Sequence, residues 1–188
     1  MIIAQQKRRE NIAEYLLYLW QVEDLLRACH LDIDQVEKTV ISRYDVDEKT
    51  RGQIREWYES WIQMMVMEGV REHGHVRVCH NVLIRLNDLH AALLADTGRF
   101  PDYHADYYRT LPYIVQLRAS VPETSRSGEL ETCFNALYGV MMLRLQGKEL
   151  SPQTAASIAQ ISHFIGLLAA YWRRDEETPL FADDLKEH

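Results

Sequence analysis

The sequence predicts an all-α protein, built as a single antiparallel bundle of six or seven helices. Apolar residues recur at intervals of three and four over nearly the whole chain, which is the spacing of one face of an α-helix. No segment shows the strict alternation, bounded by hairpin turns, that is typical of strands. The connections between the periodic segments are short, and short connections favour antiparallel neighbours.

The first predicted helix runs from about residue 8 to residue 29 and has one broad apolar stripe. The stripe consists of Ile12, Tyr15, Leu16, Leu19, Val22, Leu25, Leu26 and Cys29. A short second helix is expected to begin near Asp34, which with Glu37 fits the reciprocal capping pattern of a helix start.

The third and fourth predicted helices form the middle of the chain. The third begins near Asp47 and ends at Gly74, a residue suited to the left-handed conformation that closes many helices. The fourth spans about residues 76–95 and stops at the Thr97-Gly98 pair.

Proline and serine mark the remaining helices. Pro101 is expected to be the first residue of the fifth helix, and Pro112 to kink or split it, because proline lacks the amide donor. The sixth helix covers about residues 129–145. Ser151, followed by a proline, caps the seventh helix, which is expected over residues 152–174.

The domain organisation follows from these elements. Residues 1–177 are expected to form a single helical-bundle domain, and residues 178–188 a short acidic tail that is partly disordered. Residues 150–172 contain no Asp, Glu, Lys or Arg. Their continuous apolar run is shorter than the ~20 residues of a spanning helix, so we interpret them as a core helix and expect no membrane partner.

The net charge and the cysteine content limit the kinds of partner and the cell compartment that we expect. The 188 residues include 21 basic and 28 acidic side chains, which gives a net charge of −7. Nucleic-acid binding is not expected, because phosphate neutralisation needs clustered Lys and Arg. Cys29, Cys79 and Cys133 are few, widely spaced and set in apolar context. This pattern is typical of reduced cysteines and predicts a cytoplasmic protein.

One segment carries a resemblance to a known family. Residues 2–28, IIAQQKRRENIAEYLLYLWQVEDLLRA, resemble the start of an uncharacterised, all-helical bacterial family classed as a domain of unknown function. The chain length also fits this family. The resemblance implies a bacterial cytoplasmic protein, and it implies no activity, cofactor or catalytic residue.

Two acidic residues on apolar stripes are candidates for a ligand pocket. Glu23 continues the core stripe of the first helix and Glu68 that of the third, and a core-facing carboxylate must be paired or change its pKa. Arg27, one turn after Glu23, offers a structural partner. A small-molecule binder or enzyme would have its pocket between the first, third and fourth helices. That pocket would be lined by Tyr15, Glu23, Arg27, Trp61, Glu68 and His90.

A metal site is a weaker alternative. The side chains of His73, His75, Cys79 and His80 are of the types that bind zinc. The interpretation we favour is a solvated turn with one buried cysteine, so no metal or other cofactor is expected.

Three glycines within predicted helices need an explanation. Gly69, Gly139 and Gly166 each cost ~1 kcal/mol relative to alanine in a helix interior. Either a close helix crossing or space for a ligand would offset this cost.

The function predicted from sequence is a non-enzymatic protein-interaction module that self-associates. The chain has no phosphate-binding glycine loop, dinucleotide fingerprint or Gly-x-Ser-x-Gly elbow, and no catalytic residue is identified. The first helix is aromatic or apolar around much of its circumference, so it is either central in its own bundle or half of a dimer contact. The expected partners are a second copy, as a homodimer, and a protein of unknown identity.

Overall fold

The computed structural model describes residues 2–181, and within them all regular structure is helical. This confirms the all-α class, but the described residues contain eight α-helices where six or seven are predicted. Two short 3-10 helices lie at Ile41–Arg43 and Glu123–Ser125. The α-helices are α1 (Ile2–Glu10), α2 (Ile12–Ala28), α3 (Ile33–Thr39), α4 (Glu48–Met67), α5 (Arg77–Ala95), α6 (Pro101–Ala119), α7 (Glu129–Leu145) and α8 (Pro152–Glu177).

The extra helix is α1, most of which lies before the predicted start of the first helix at about residue 8. Asn11 separates α1 from α2, and its side-chain oxygen accepts a hydrogen bond from the backbone N–H of Ala13 at 2.9 Å. Asparagine is favoured at helix starts because it satisfies an amide that has no partner within the helix. The predicted apolar stripe begins at Ile12, after this break, so it carries no signal for α1.

Aspartates cap α3 and α4. Asp32 caps α3 by accepting from the backbone N–H of Asp34, so the predicted cap at Asp34 is two residues late. The predicted cap at Asp47 is confirmed, since its carboxylate accepts from the N–H of Thr50 at 2.8 Å. The helix that it starts ends at Met67 and not at Gly74.

Proline does not split α6. The helix begins at Pro101, as predicted, and continues through Pro112 to Ala119. Pro112 is exposed, as is Tyr108, whose carbonyl loses its usual helix donor. Water can reach a carbonyl at such a position, so the missing hydrogen bond does not end the helix.

The described residues divide into two compact units. One contains residues 2–10 and 14–82, and the other contains residues 11–13 and 83–181. In the first, α3 packs on α4; in the second, α8 packs on both α6 and α7, and α6 also packs on α7. The core of the first unit includes Leu16, Leu19, Trp20, Leu26, Val36, Tyr58 and Met65, and that of the second includes Leu93, Tyr103, Ile114, Phe134, Ile161, Phe164 and Leu168.

Helix α8 combines a buried stripe with an open face. The buried stripe includes Ile161, Phe164, Ile165 and Leu168. In the most apolar stretch of 18 residues in this helix, 39% is buried. By length and composition, α8 is the one described helix that could cross a membrane. A core helix of a soluble protein passes the same test.

The start of the predicted acidic tail is packed. The backbone N–H of Leu180 donates to Asp175 Oδ1 at 2.8 Å, and the ring of Phe181 lies 5.6 Å from that of Phe100. Residues 182–188, where disorder is expected, lie outside the described residues.

Candidate functional site

The carboxylate of Glu23 is fully buried and hydrogen-bonded on both oxygens. Oε1 accepts from the backbone N–H of Val76 at 2.8 Å, and the thiol of Cys79 lies 3.8 Å from the same oxygen. Oε2 lies 2.5 Å from Nδ1 of His75. Val76 immediately precedes α5, so Glu23 of α2 supplies an acceptor to the start of that helix.

His75 is fixed on two sides. Its ring stacks on the indole of Trp20, with centroids 4.3 Å apart and planes inclined by 11°. The contact with Glu23 requires the donor proton on Nδ1, because a carboxylate only accepts. The imidazole is 23% exposed, so this pair lies at the edge of the core.

Glu68 also stabilises the start of α5. Its Oε2 accepts from the backbone N–H of Arg77, the first residue of that helix, at 2.6 Å. Amides at a helix start have no intrahelical acceptor, and the positive end of the helix dipole favours carboxylates. Glu23 and Glu68 are therefore brought together, as α5 caps contributed by α2 and by the end of α4.

Arg27 does not pair with Glu23. Its guanidinium lies 2.8 Å from Asp24 Oδ1 and donates to the backbone carbonyls of Val70, at 3.1 Å, and Gly74. Arginine can make these contacts together because its donors form a planar fork. Arg27 therefore joins α2 to the loop that precedes α5.

Cys79 is a buried thiol that donates a weak hydrogen bond to Glu23. Burial raises the pKa of its thiol, and the nearby charge of Glu23 raises it further. A thiol in this state carries almost no thiolate at neutral pH, and the thiolate is the reactive form.

Three predicted pocket residues remain: Tyr15 and Trp61 lie in the first compact unit and His90 lies in the second. Trp61 is buried with its ring 5.6 Å from that of Trp57, and burial raises the pKa of the half-buried Tyr15. His90 lies in the second compact unit, where its Nδ1 is 2.6 Å from the hydroxyl of Tyr103. Burial lowers the pKa of His90.

The four side chains of the metal alternative have other roles or are exposed. Among residues 2–181, no group of three or more His, Cys, Asp or Glu side chains could hold a metal ion. His73 and His80 are exposed, whereas His75 and Cys79 both contact Glu23.

Neither a close helix crossing nor space for a ligand, the two explanations expected for Gly69, Gly139 and Gly166, is seen at these glycines among the described residues. Gly69 lies just beyond α4 with φ +73°, so it terminates the helix. Gly139 and Gly166 are inside α7 and α8, and a Cβ at either would meet nothing within 4 Å. Neither a close crossing nor a pocket wall within the described chain accounts for these two.

A groove lies between α7 and α8, in the second unit. Its volume is about 410 Å³. Arg144 is the only charged side chain that lines it, and Leu145 at its end is 72% exposed. The lining consists of Leu137, Val140, Met141, Arg144, Leu145, Ala155, Ile158, Ala159 and Ser162. We refer to these nine residues as the α7–α8 groove.

The family model of DUF4924, a domain of unknown function, matches residues 1–178. The chain belongs to this family. This confirms the resemblance seen in residues 2–28 and extends it over both compact units. No curated protein and no solved structure is significantly similar to the chain. Membership of DUF4924 brings no activity with it, so function has to be argued from geometry.

Sequence reasoning on this DUF4924 chain missed two relationships. Glu23 and His75 are both candidates in the sequence, Glu23 for the pocket and His75 for the metal alternative, and nothing in the periodicity pairs residues 52 positions apart. The α7–α8 groove was also missed, although a signal existed: residues 150–172 contain no charge. The sequence predicts a core helix there, and α8 does carry a buried stripe, but part of its other face lines the groove.

Proposed function

We propose that the chain is a non-enzymatic, cytoplasmic protein-interaction module that forms a homodimer through the α7–α8 groove. The observation that carries the proposal is a largely apolar groove with no carboxylate among the described residues that line it, in a chain of net charge −7. The sequence predicts the dimer contact on the first helix, but α2 has Leu16, Leu19 and Trp20 buried, so we propose a contact in the second unit instead.

The groove offers both halves of a two-fold contact. Leu145 is a large exposed side chain at one end, and Ala155, Ala159 and Ser162 of α8 form a wall of small residues. Two-fold interfaces use the same surface twice, so Leu145 of each copy would enter the groove of the other. Burying a leucine side chain contributes about 1.5–3 kcal/mol, and small residues allow close approach of the helices.

Electrostatics favour this surface for self-association. Two copies that each carry −7 repel one another, so contact is least costly where no carboxylates face each other. The groove meets this condition. Its one cation, Arg144, is exposed and could pair with a carboxylate of the second copy.

Two further expectations belong to the proposal. Cys29, Cys79 and Cys133 are all free and buried, which supports a reducing compartment such as the cytoplasm. The single antiparallel bundle over residues 1–177 also stays a prediction. The alternative pocket is not proposed, because Glu23 and Glu68 already serve the start of α5.

Charge placed in the groove tests the proposal. Ala159→Glu is expected to abolish the dimer, because each copy would bring a carboxylate into the apolar contact. Ala156→Glu is the matched control, since Ala156 is also exposed on α8 but does not line the groove. Sedimentation velocity should give twice the chain mass of 22.1 kDa for the wild type and the control, and the chain mass for Ala159→Glu. A monomeric wild type, or a dimeric Ala159→Glu, would contradict the proposal.

A further inference from the structure

A second pocket of the second unit is lined by hydrogen-bonding side chains. It lies where the end of α6 meets the start of α7 and has a volume of about 340 Å³. Arg118, Arg126, Ser127 and Asn135 line it together with smaller and apolar residues, and no carboxylate is among them. In an acidic chain, two guanidinium groups around one pocket create a local site for an anion.

Arg118 lines this pocket with a weakly paired guanidinium group. Its Nε is buried and has no hydrogen-bond partner within the described residues. Its ion pair with Glu129 is long, with 3.8 Å between Nη1 and Oε1, while the hydroxyl of Tyr107 donates to the other oxygen, Oε2, at 2.9 Å. The buried Nε is not accessible from the pocket, but the side chain is 36% exposed, so its charge attracts an oxyanion bound there.

Arg126 is held in place by the loop that carries it. Its Nε donates to the carbonyl of Arg118 at 3.0 Å and to that of Val121 at 3.3 Å. These bonds restrain the guanidinium at the pocket wall, and its Nη groups make no contact recorded for the described residues. An arginine restrained in this way loses less side-chain entropy when it binds a ligand.

A neutral polar pocket adjoins the basic one. It has a volume of about 280 Å³, lies between α6 and α8, and shares Leu117 and Ser120 with the first. Tyr113, Gln116 and Gln153 line it, again without a carboxylate. Uncharged hydroxyl and amide groups of this kind bind the hydroxyl groups of a ligand.

We propose that the two pockets together bind a small phosphorylated hydroxy compound. The phosphate monoester lies between Arg118 and Arg126, whose planar donor forks match a phosphate in two-point hydrogen bonding. The hydroxylated part extends past Leu117 and Ser120 towards Gln116 and Gln153.

Ribose 5-phosphate, ribose, inorganic phosphate and gluconate are suitable probes for the full-length protein. Binding can be followed through the Nε–H signals of the arginines in ¹H–¹⁵N correlation spectra. Ribose 5-phosphate should shift the signals of Arg118 and Arg126 saturably and bind more tightly than inorganic phosphate, and ribose should not bind. Gluconate binding as tight as ribose 5-phosphate would overturn the assignment of phosphate in favour of a carboxylate.

Two variants and a control make the test specific. Arg126→Gln should weaken the affinity for ribose 5-phosphate at least about tenfold, since one charged two-point contact is lost. Gln153→Leu should reduce affinity for ribose 5-phosphate and leave that for inorganic phosphate unchanged. Arg71→Gln removes the same charge from an exposed position of the first unit and should change neither. Equal binding by Arg126→Gln and the wild type, or shifts spread over all arginines without saturation, would overturn the proposal.

Discussion

Glu23 shows how a carboxyl group can be buried when both of its oxygens have hydrogen-bond partners. Isolated buried carboxylates are very unfavourable, and hydrogen bonds to the charged form offset the desolvation. Val76, His75 and Cys79 supply these bonds from the loop before α5 and from its first turns. The residue therefore stabilises a junction between α2 and α5.

Replacing Glu23 by glutamine should lower stability by about 1–3 kcal/mol. The amide presents an NH₂ group where one oxygen accepted, so either Val76 N–H loses its acceptor inside the core or His75 has to change tautomer and accept through Nδ1. Urea unfolding followed by circular dichroism measures the effect. Glu68→Gln is the control and should cost less, because Glu68 is half-buried and serves one amide. Equal losses in the two variants would contradict this account of Glu23.

His90 should make the protein less stable in mild acid. Burial holds its pKa below the ordinary value of 6.5 in the folded state. As pH falls below about 6.5, the unfolded chain takes up a proton that the folded chain does not. The stabilisation is thus complete above that pH. It is lost as the pH falls from about 6.5 to the pKa of His90 in the folded state, and the free energy of unfolding drops by at most about 1.4 kcal/mol per pH unit.

A His90→Gln variant isolates this effect. Urea midpoints measured near pH 7.5 and near pH 5.5 should fall further for the wild type than for the variant. The same fall in both proteins would show that other groups cause the acid sensitivity.

At the scale of a residue, the sequence predicted burial better than partnership. The apolar stripe of the first helix predicts that Glu23 faces the core, and it is fully buried. Its partner His75 could not be predicted from periodicity, because the two residues come together through packing of distant elements. The nearer Arg27 was the local expectation, but the loop carbonyls of Val70 and Gly74 compete for it.

Helix ends were predictable where a local capping group decides them. Asp47, Pro101 and Ser151 were identified because aspartate or serine satisfies a free amide and proline needs no amide donor. The end of α4 is predicted at Gly74, but two glycines that adopt positive φ follow Met67, and either could end the helix. Gly69 comes first and adopts φ +73°.

Gly139→Ala should stabilise the protein by about 1 kcal/mol. The glycine is exposed inside α7, and a Cβ there would meet no atom within 4 Å, so only the backbone entropy changes. Gly74→Ala is the counterpart and should destabilise, because Gly74 has φ +84°. Thermal unfolding midpoints should move in opposite directions, and a fall for Gly139→Ala would mean that α7 needs glycine for a contact outside the described chain.

The candidate surfaces of the molecule are unevenly distributed. The α7–α8 groove and the pocket lined by Arg118 and Arg126 both belong to the second unit. Glu23, His75, Val76 and Cys79, which we call the Glu23 cluster, belong to the first. The net charge could not predict this distribution, because −7 is a sum over the whole chain and does not show which surfaces carry few charges.

Salt should strengthen the proposed dimer. Each copy carries −7, so association works against a long-range repulsion. Raising ionic strength from about 0.1 M to about 1 M shortens the screening length from about 10 Å to about 3 Å. Sedimentation equilibrium should therefore give a lower dimer Kd at high salt. A Kd that rises with salt would indicate that ion pairs, and not the apolar groove, hold the copies together.

The Glu23 cluster also bears on how the chain is made. All of its members lie within the first 79 residues, so they are synthesised before the segment for α6 to α8. The contact joins residues more than fifty positions apart, and closing so long a loop is slow compared with forming local helices. We therefore expect it to form late, so that Glu23→Gln accelerates unfolding and leaves the refolding rate nearly unchanged in stopped-flow measurements.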